Sequence, residues 1–89
     1  MLRIIIVGVG GLMGRTIAGL AAASPDQYTV VGGADCAPNA APQNVPIFPS
    51  IFDIQAPADV VIDFSRPGAL PATLSYAKLH NLRAVIGTT

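Results

Sequence analysis

Apolar residues fall into short unbroken runs separated by glycine, proline and aspartate, the pattern of strands buried on both faces and alternating with helices. The run Leu-Arg-Ile-Ile-Ile-Val at Leu2–Val7 is closed by Gly8 and predicts a first strand. From Gly11 the period lengthens. Met13, Ile17, Leu20 and Ala21 recur at helical spacing, and Ser24-Pro25-Asp26 stops a helix of about three turns. Tyr28–Ala34 predicts a second strand with Asp35 at its carboxyl end. Residues 36–50 carry Pro38, Pro42, Pro46 and Pro49 and read as a surface connection with a short strand near residues 45–48. Ser50 is placed to cap a single turn through Ile51, Phe52 and Ile54 before Pro57. Residues 59–64 predict a buried strand. A further helix follows, with Pro67 before it, Pro71 in its first turn and a stripe of Leu70, Leu74 and Ala77. His80-Asn81 closes that helix, and residues 83–87 form the last strand.

The order β-α-β-(β)-β-α-β with wholly apolar strands predicts an α/β fold: a Rossmann-like, doubly wound parallel sheet of about four to five strands. Ligands of such sheets bind at the carboxyl ends of the strands, where strand order reverses. The loops after Val7, Ala34 and Phe64 should gather there, joined by Thr88 and Thr89.

Composition narrows the function. The chain has 89 residues, enough for one small domain spanning residues 1–89. It is 52% hydrophobic and 11% charged with mean hydropathy +0.58, so it packs a core. Five basic and five acidic residues balance to zero, which removes electrostatic capture of nucleic acid or an acidic membrane. All five acids are Asp, a residue of turns and caps, so solvated helical faces are few. A single cysteine, Cys36, permits neither an internal disulfide nor a cysteine metal cluster and fits a cytoplasmic location. The apolar start is interrupted by Gly8, Gly10, Gly11 and Gly14 and followed by Arg15, unlike a signal peptide or a membrane span.

The chemistry-bearing segment is Gly8-Val9-Gly10-Gly11-Leu12-Met13-Gly14, set between a strand and a helix. Glycines there permit positive φ and close backbone approach to a pyrophosphate, whose charge meets the amide hydrogens of the helix start. Gly-x-Gly-x-x-Gly spacing from Gly8 would put Met13 at the last glycine. The spacing present is Gly8-x-x-Gly11-x-x-Gly14. No Lys-Ser/Thr follows, which disfavours a triphosphatase loop.

Asp35, 21 positions after Gly14, is placed to accept hydrogen bonds from adenosine ribose hydroxyls and to repel a 2′-phosphate; its alternative is a turn cap. No arginine follows it, so NADH is the preferred cofactor and NADPH the alternative. In Asp63-Phe64-Ser65-Arg66-Pro67, Phe64 is suited to a cofactor ring or the core, and Ser65 to a ribose or a helix cap. Arg66 is suited to adenine, phosphate or solvent. Gly87, Thr88 and Thr89 offer backbone and hydroxyls where a nicotinamide amide could dock. His80 and Lys78 lie near a helix carboxyl end, away from the crevice, and Cys36 has no neighbouring base. No catalytic residue and no metal site is expected in this chain.

Three segments in order, Ile6-Val7-Gly8-Val9-Gly10-Gly11-Leu12-Met13-Gly14-Arg15, Val60-Val61-Ile62-Asp63-Phe64-Ser65-Arg66-Pro67 and Val85-Ile86-Gly87-Thr88-Thr89, resemble the amino-terminal half of 4-hydroxy-tetrahydrodipicolinate reductase, formerly dihydrodipicolinate reductase. By motif position, the resemblance implies NAD(P)H binding at Gly8, Val9, Gly10, Gly11, Leu12 and Met13, at Asp35, and at Gly87, Thr88 and Thr89. It implies hydride transfer to a cyclic unsaturated dicarboxylate, giving tetrahydrodipicolinate for lysine and diaminopimelate synthesis. Two departures stand out. Leu12 replaces the family's usual Arg in Gly-Arg-Met-Gly, and Cys36 replaces an Arg common after the strand-two acid, which reinforces the NADH preference.

Family members continue into a second domain with a His-His pair and a Lys that bind the dicarboxylate and supply the proton, together with the contacts of a homotetramer. None of these residues is present here, so the chain alone is expected to lack reductase activity. It reads as stopping inside a cofactor-contacting loop, which predicts an exposed apolar sheet edge and weak stability or association in isolation. Two other readings keep the cofactor half: a homoserine or amino-acid dehydrogenase, and a non-catalytic nucleotide- or CoA-binding module.

Overall fold

The computed structural model describes residues 1–9, 11–35, 45–64 and 70–87. Five strands, β1 (Leu2–Val7), β2 (Tyr28–Ala34), β3 (Ile47–Phe48), β4 (Val60–Asp63) and β5 (Arg83–Ile86), form one sheet in the order β3-β2-β1-β4-β5, with every pairing parallel. Helices α1 (Leu12–Ala22) and α2 (Leu70–His80) connect β1 to β2 and β4 to β5. This is the expected Rossmann-like α/β fold. The strand order reverses between β1 and β4, so the crevice predicted for such sheets opens beyond Val7 and Asp63.

Alternation along β1 divides the core in two. Ile4 and Ile6 pack with Val9, Ala18 and Val60 on the α1 face, whereas Ile5 and Val7 pack with Ile54, Val61, Tyr76 and Ala77 on the α2 face. Ile5, Ile6 and Val61 are fully buried. Burying each such side chain contributes about 1.5–3 kcal/mol.

The register of β1 against β2 shifts by one residue: Ile4 pairs with Val30 but Ile5 with Gly32. A bulge therefore sits at Val31. Val31 and Gly32 consequently face the same, α2 side, with Gly32 against Ile54, and Gly33 turns to the α1 side.

The two helices bury the predicted stripes only in part: Ala21 and Ala77 are buried and Ile17 packs against the core. Met13, Leu20 and Leu74 are exposed; Gly14, Ala18 and Ala21 of α1 and Thr73, Tyr76 and Ala77 of α2 are buried. The sheet surface is already bulky with β-branched residues. Close approach of α1 therefore selects small side chains at its line of contact and leaves Met13 and Leu20 at the flanks, whereas α2 buries Tyr76 beside Thr73 and Ala77.

Local signals otherwise behave as read. Ser50 Oγ accepts the Phe52 N–H at 3.2 Å and caps the single 3-10 turn Ile51–Asp53. Pro71 lies in the first turn of α2, and Asn81 takes a left-handed φ of 57° as the helix ends. Tyr76 is buried, its hydroxyl donating to the Ile54 carbonyl at 2.8 Å, and burial pushes its phenol pKa up. The predicted apolar edge is seen at β5, whose four residues are all exposed, Val85 to 52%.

At the opposite edge of the sheet from the crevice, Asp59 ties the start of β4 to β1. Its carboxylate accepts the Arg3 backbone N–H at 2.8 Å and the guanidinium at 3.1 and 2.9 Å. These bonds hold the Asp59 pKa at about 2, below its ordinary 3.8. The folded-state value is the lower one, so the stabilisation is complete above the ordinary carboxylate range and is lost as pH falls through the folded value. Asp59→Asn should lower the melting temperature slightly at neutral pH and flatten its decline between about pH 4 and pH 2. Thermal melts across that range check this.

Candidate functional site

The residues that gather at the carboxyl edge are fixed by hydrogen bonds that extend the sheet past the strand ends. Gly8 N–H donates to the Ala34 carbonyl at 2.8 Å, Phe64 N–H to Val7 at 3.0 Å, Gly87 N–H to Asp63 at 2.8 Å, and Asp35 N–H to Phe48 at 3.1 Å. Gly8, Asp35, Phe64 and Gly87 therefore lie in one row along the mouth of the crevice.

The turn out of β1 uses its glycines for distinct reasons. Gly8 adopts φ 82°, a left-handed value that a side chain would strain, and its carbonyl accepts the Gly11 N–H at 3.0 Å. Gly11 is the extended residue before α1. It has no side chain with which to cap the helix, and no acid occupies the first turn. Within the first turn of α1, neither an acid nor a side-chain cap opposes the positive end of the helix dipole, which faces the crevice. Gly14 is buried where a methyl group would collide with the Gly8 carbonyl oxygen and stand 2.8 Å from Val9 Cα. The last glycine of the motif brings the helix directly onto the turn. Val9 is wholly buried, whereas Met13 is exposed.

Asp35 follows β2 on the far side of the turn. Gly33 faces the α1 side, so by strand alternation Asp35 is the next position on that face, the face carrying the glycine turn. Phe64, half-buried, lays its ring on Gly87, where a methyl group would collide with the ring. Gly10, Cys36, Ser65, Arg66, Thr88 and Thr89 lie outside the described residues, as does the side chain of Leu12.

The motif reading overlooked one buried pair. Asp63, the last residue of β4, is fully buried, and Thr73 of α2, equally buried, donates its hydroxyl to Asp63 Oδ2 at 2.6 Å. The bond ties the crevice end of β4 to the helix that follows. Asp63 stood in the sequence as part of a motif, but a threonine ten residues later carried no signal of its role.

His80 stacks on Tyr76 with ring centroids 4.2 Å apart, in the last turn of α2 and away from the crevice. Among the described residues there is no His, Cys, Asp and Glu cluster able to hold a metal, and no helix long and apolar enough to cross a membrane.

A parallel sheet of this order, with a glycine turn entering an uncapped helix at the point of reversal, defines a Rossmann-like domain of the dinucleotide-binding class. The family model described as dihydrodipicolinate reductase, N-terminus, matches residues 2–89, and the chain belongs to that family. It is 38% identical over its whole length to 4-hydroxy-tetrahydrodipicolinate reductases from Caldanaerobacter subterraneus and Clostridium novyi, and 36% identical to that of Clostridium tetani. The chain spans 34% of the length of each of these relatives. In fold it is similar to the WlbA dehydrogenase of Chromobacterium violaceum, solved in complex with NADH and UDP-GlcNAcA. The TM-score is 0.79 at 20% identity, covering 96% of this chain and 26% of that one.

Proposed function

We propose that residues 1–89 form the NAD(P)H-binding domain of a 4-hydroxy-tetrahydrodipicolinate reductase, with NADH preferred over NADPH. The observation that carries the reading is the glycine-built approach of α1 to the crevice. Gly8 and Gly14 let the turn and α1 pack closely, Gly11 leaves the helix start without a side chain, and no acid stands in the first turn of α1. That cradle fits the diphosphate of a dinucleotide. Membership of the reductase family supports the same cofactor, and the reaction is proposed from the likeness to those reductases.

In this account the turn at Gly8, Val9, Gly10 and Gly11, with Leu12 and Met13 of α1, binds the diphosphate through backbone N–H groups. Asp35 accepts hydrogen bonds from the adenosine ribose and its negative charge disfavours a 2′-phosphate. Phe64, Ser65 and Arg66 flank the adenosine side, while Gly87, Thr88 and Thr89 orient the nicotinamide from the end of β5. When bound, the nicotinamide supplies a hydride to the cyclic unsaturated dicarboxylate, yielding tetrahydrodipicolinate in the route to diaminopimelate and lysine. Residues of this chain bind and orient the cofactor; dicarboxylate binding, proton delivery and tetramer contacts belong to a substrate domain outside residues 1–89. The 89-residue chain should therefore bind NADH without turning over substrate.

Asp35→Ala tests the reading. NADH affinity should fall by about tenfold, the equivalent of one or two lost ribose hydrogen bonds, while NADPH affinity should hold or rise. Fluorescence titration with both cofactors measures the pair of constants. Equal losses for NADH and NADPH would count against a ribose role for Asp35.

A further inference from the structure

Val9 is the one large side chain in the glycine turn, and it is wholly buried rather than turned to the crevice. It is held from two sides. On its backbone side stands Gly14 of α1, where a methyl group would lie 2.8 Å from Val9 Cα. On its side-chain side stands Gly33 of β2, where a methyl group would lie 2.7 Å from Cγ1, 2.9 Å from Cβ and 3.1 Å from Cγ2. All three side-chain carbons of Val9 occupy the space that a residue other than glycine would fill at position 33. Gly33 is available there only because the bulge at Val31 reverses the facing of β2; without it, Gly33 would point to the α2 side.

From this packing we infer that Val9 and Gly33 form a volume-matched lock that sets how deeply the glycine turn sits against β2. Gly33 is thereby a positioning residue for the dinucleotide phosphates, acting through Val9 without touching them. The inference rests on the dinucleotide reading above. The sheet beneath Gly33 is paired on both sides, by β1 and by β3 at this very residue, so β2 cannot retreat. Added volume at position 33 must displace Val9 away from β2, and with it the turn proposed to hold the phosphates. The same contact joins the phosphate turn to the strand that ends in Asp35, so the spacing between the diphosphate and ribose contacts is set at Val9.

The test is a double-mutant cycle of Gly33→Ala, Val9→Ala and the two together, read by NADH titration and thermal melting of the 89-residue chain. Gly33→Ala should weaken NADH binding by about tenfold or more, since displacement of a turn by a fraction of an ångström to an ångström disturbs every phosphate contact. Val9→Ala alone should cost only a few-fold. The double variant loses both Cγ contacts and keeps only the Val9 Cβ contact, so it should recover part of the lost affinity and bind NADH several-fold more tightly than Gly33→Ala alone. If Gly33→Ala does not fold, a double variant that folds and binds NADH supports the lock equally, and a double variant that also fails to fold overturns it. A Gly33→Ala chain that binds NADH normally, or a double variant weaker than either single one, overturns the lock while leaving the dinucleotide reading intact. Absence of saturable NADH binding by the unsubstituted chain overturns both.

Discussion

Gly14→Ala should reduce NADH affinity on the order of a hundredfold and destabilise the chain by about 1–3 kcal/mol. The new methyl meets backbone on every side: the Gly8 carbonyl oxygen, the Gly8 carbonyl carbon at 3.0 Å and Val9 Cα at 2.8 Å. None of these can rotate away as a side-chain tip can. Relief requires α1 to withdraw from the turn, carrying its first N–H groups away from the diphosphate they are proposed to hold. The contrast with Gly19 is diagnostic. Gly19 lies on the same helix with nothing within 4 Å of an added Cβ, so Gly19→Ala should raise helix stability by about 0.5–1 kcal/mol and leave NADH binding unchanged. Parallel melts and NADH titrations of the two variants check both halves. Equal NADH affinities in the two would show that close approach of α1 to the turn is not what binding requires.

Thr73→Val should cost about 1–3 kcal/mol, because it keeps the side chain's shape while taking a hydroxyl donor from a fully buried carboxyl group. In a domain of this size that corresponds to a fall in melting temperature of roughly 4–8 °C per kcal/mol. Thr73→Ser retains the donor and should recover most of the loss. The bond also ties the crevice end of β4 to α2, so Thr73→Val should loosen NADH binding in addition, by a few-fold, whereas Asp59→Asn at the far edge should not. Chemical denaturation and NADH titration of Thr73→Val and Thr73→Ser separate these effects. A valine variant as stable as the parent would mean that the Asp63 carboxyl is satisfied without Thr73.

The strands were legible because each is a short, largely apolar run set off by glycine, proline or aspartate. Tyr28–Ala34 was read to its observed limits, and even the two-residue strand at Ile47–Phe48 fell inside the expected segment. Position at the carboxyl edge then placed Gly8, Asp35, Phe64 and Gly87 in one row without further information.

Three features were not legible, and each is tertiary. The buried faces of α1 and α2 are set by how closely a helix can lie on a β-branched sheet, which favours Gly14, Ala18 and Thr73 over the more apolar Leu20 and Leu74. The bulge at Val31 leaves no mark in a run of Val-Val-Gly-Gly, where neighbouring positions have nearly the same polarity. The Asp63 and Thr73 pair joins residues from different elements, and nothing in the local pattern of α2 distinguishes Thr73 from a solvent-facing threonine. The sequence motif marked Gly14 as one of three regularly spaced glycines; the fold gives it the most demanding role of the three.

On the proposed function, the glycine-built crevice binds a nicotinamide dinucleotide. Amide chemical-shift mapping of the 89-residue chain during NADH titration tests it most directly. Saturable shifts are expected at Gly8, Val9, Gly11, Met13, Gly14, Asp35, Phe64 and Gly87, with weaker effects from NADPH and none at Asp59 or His80. Shifts absent at saturating NADH, or centred on the far edge around Arg3 and Asp59, would contradict it.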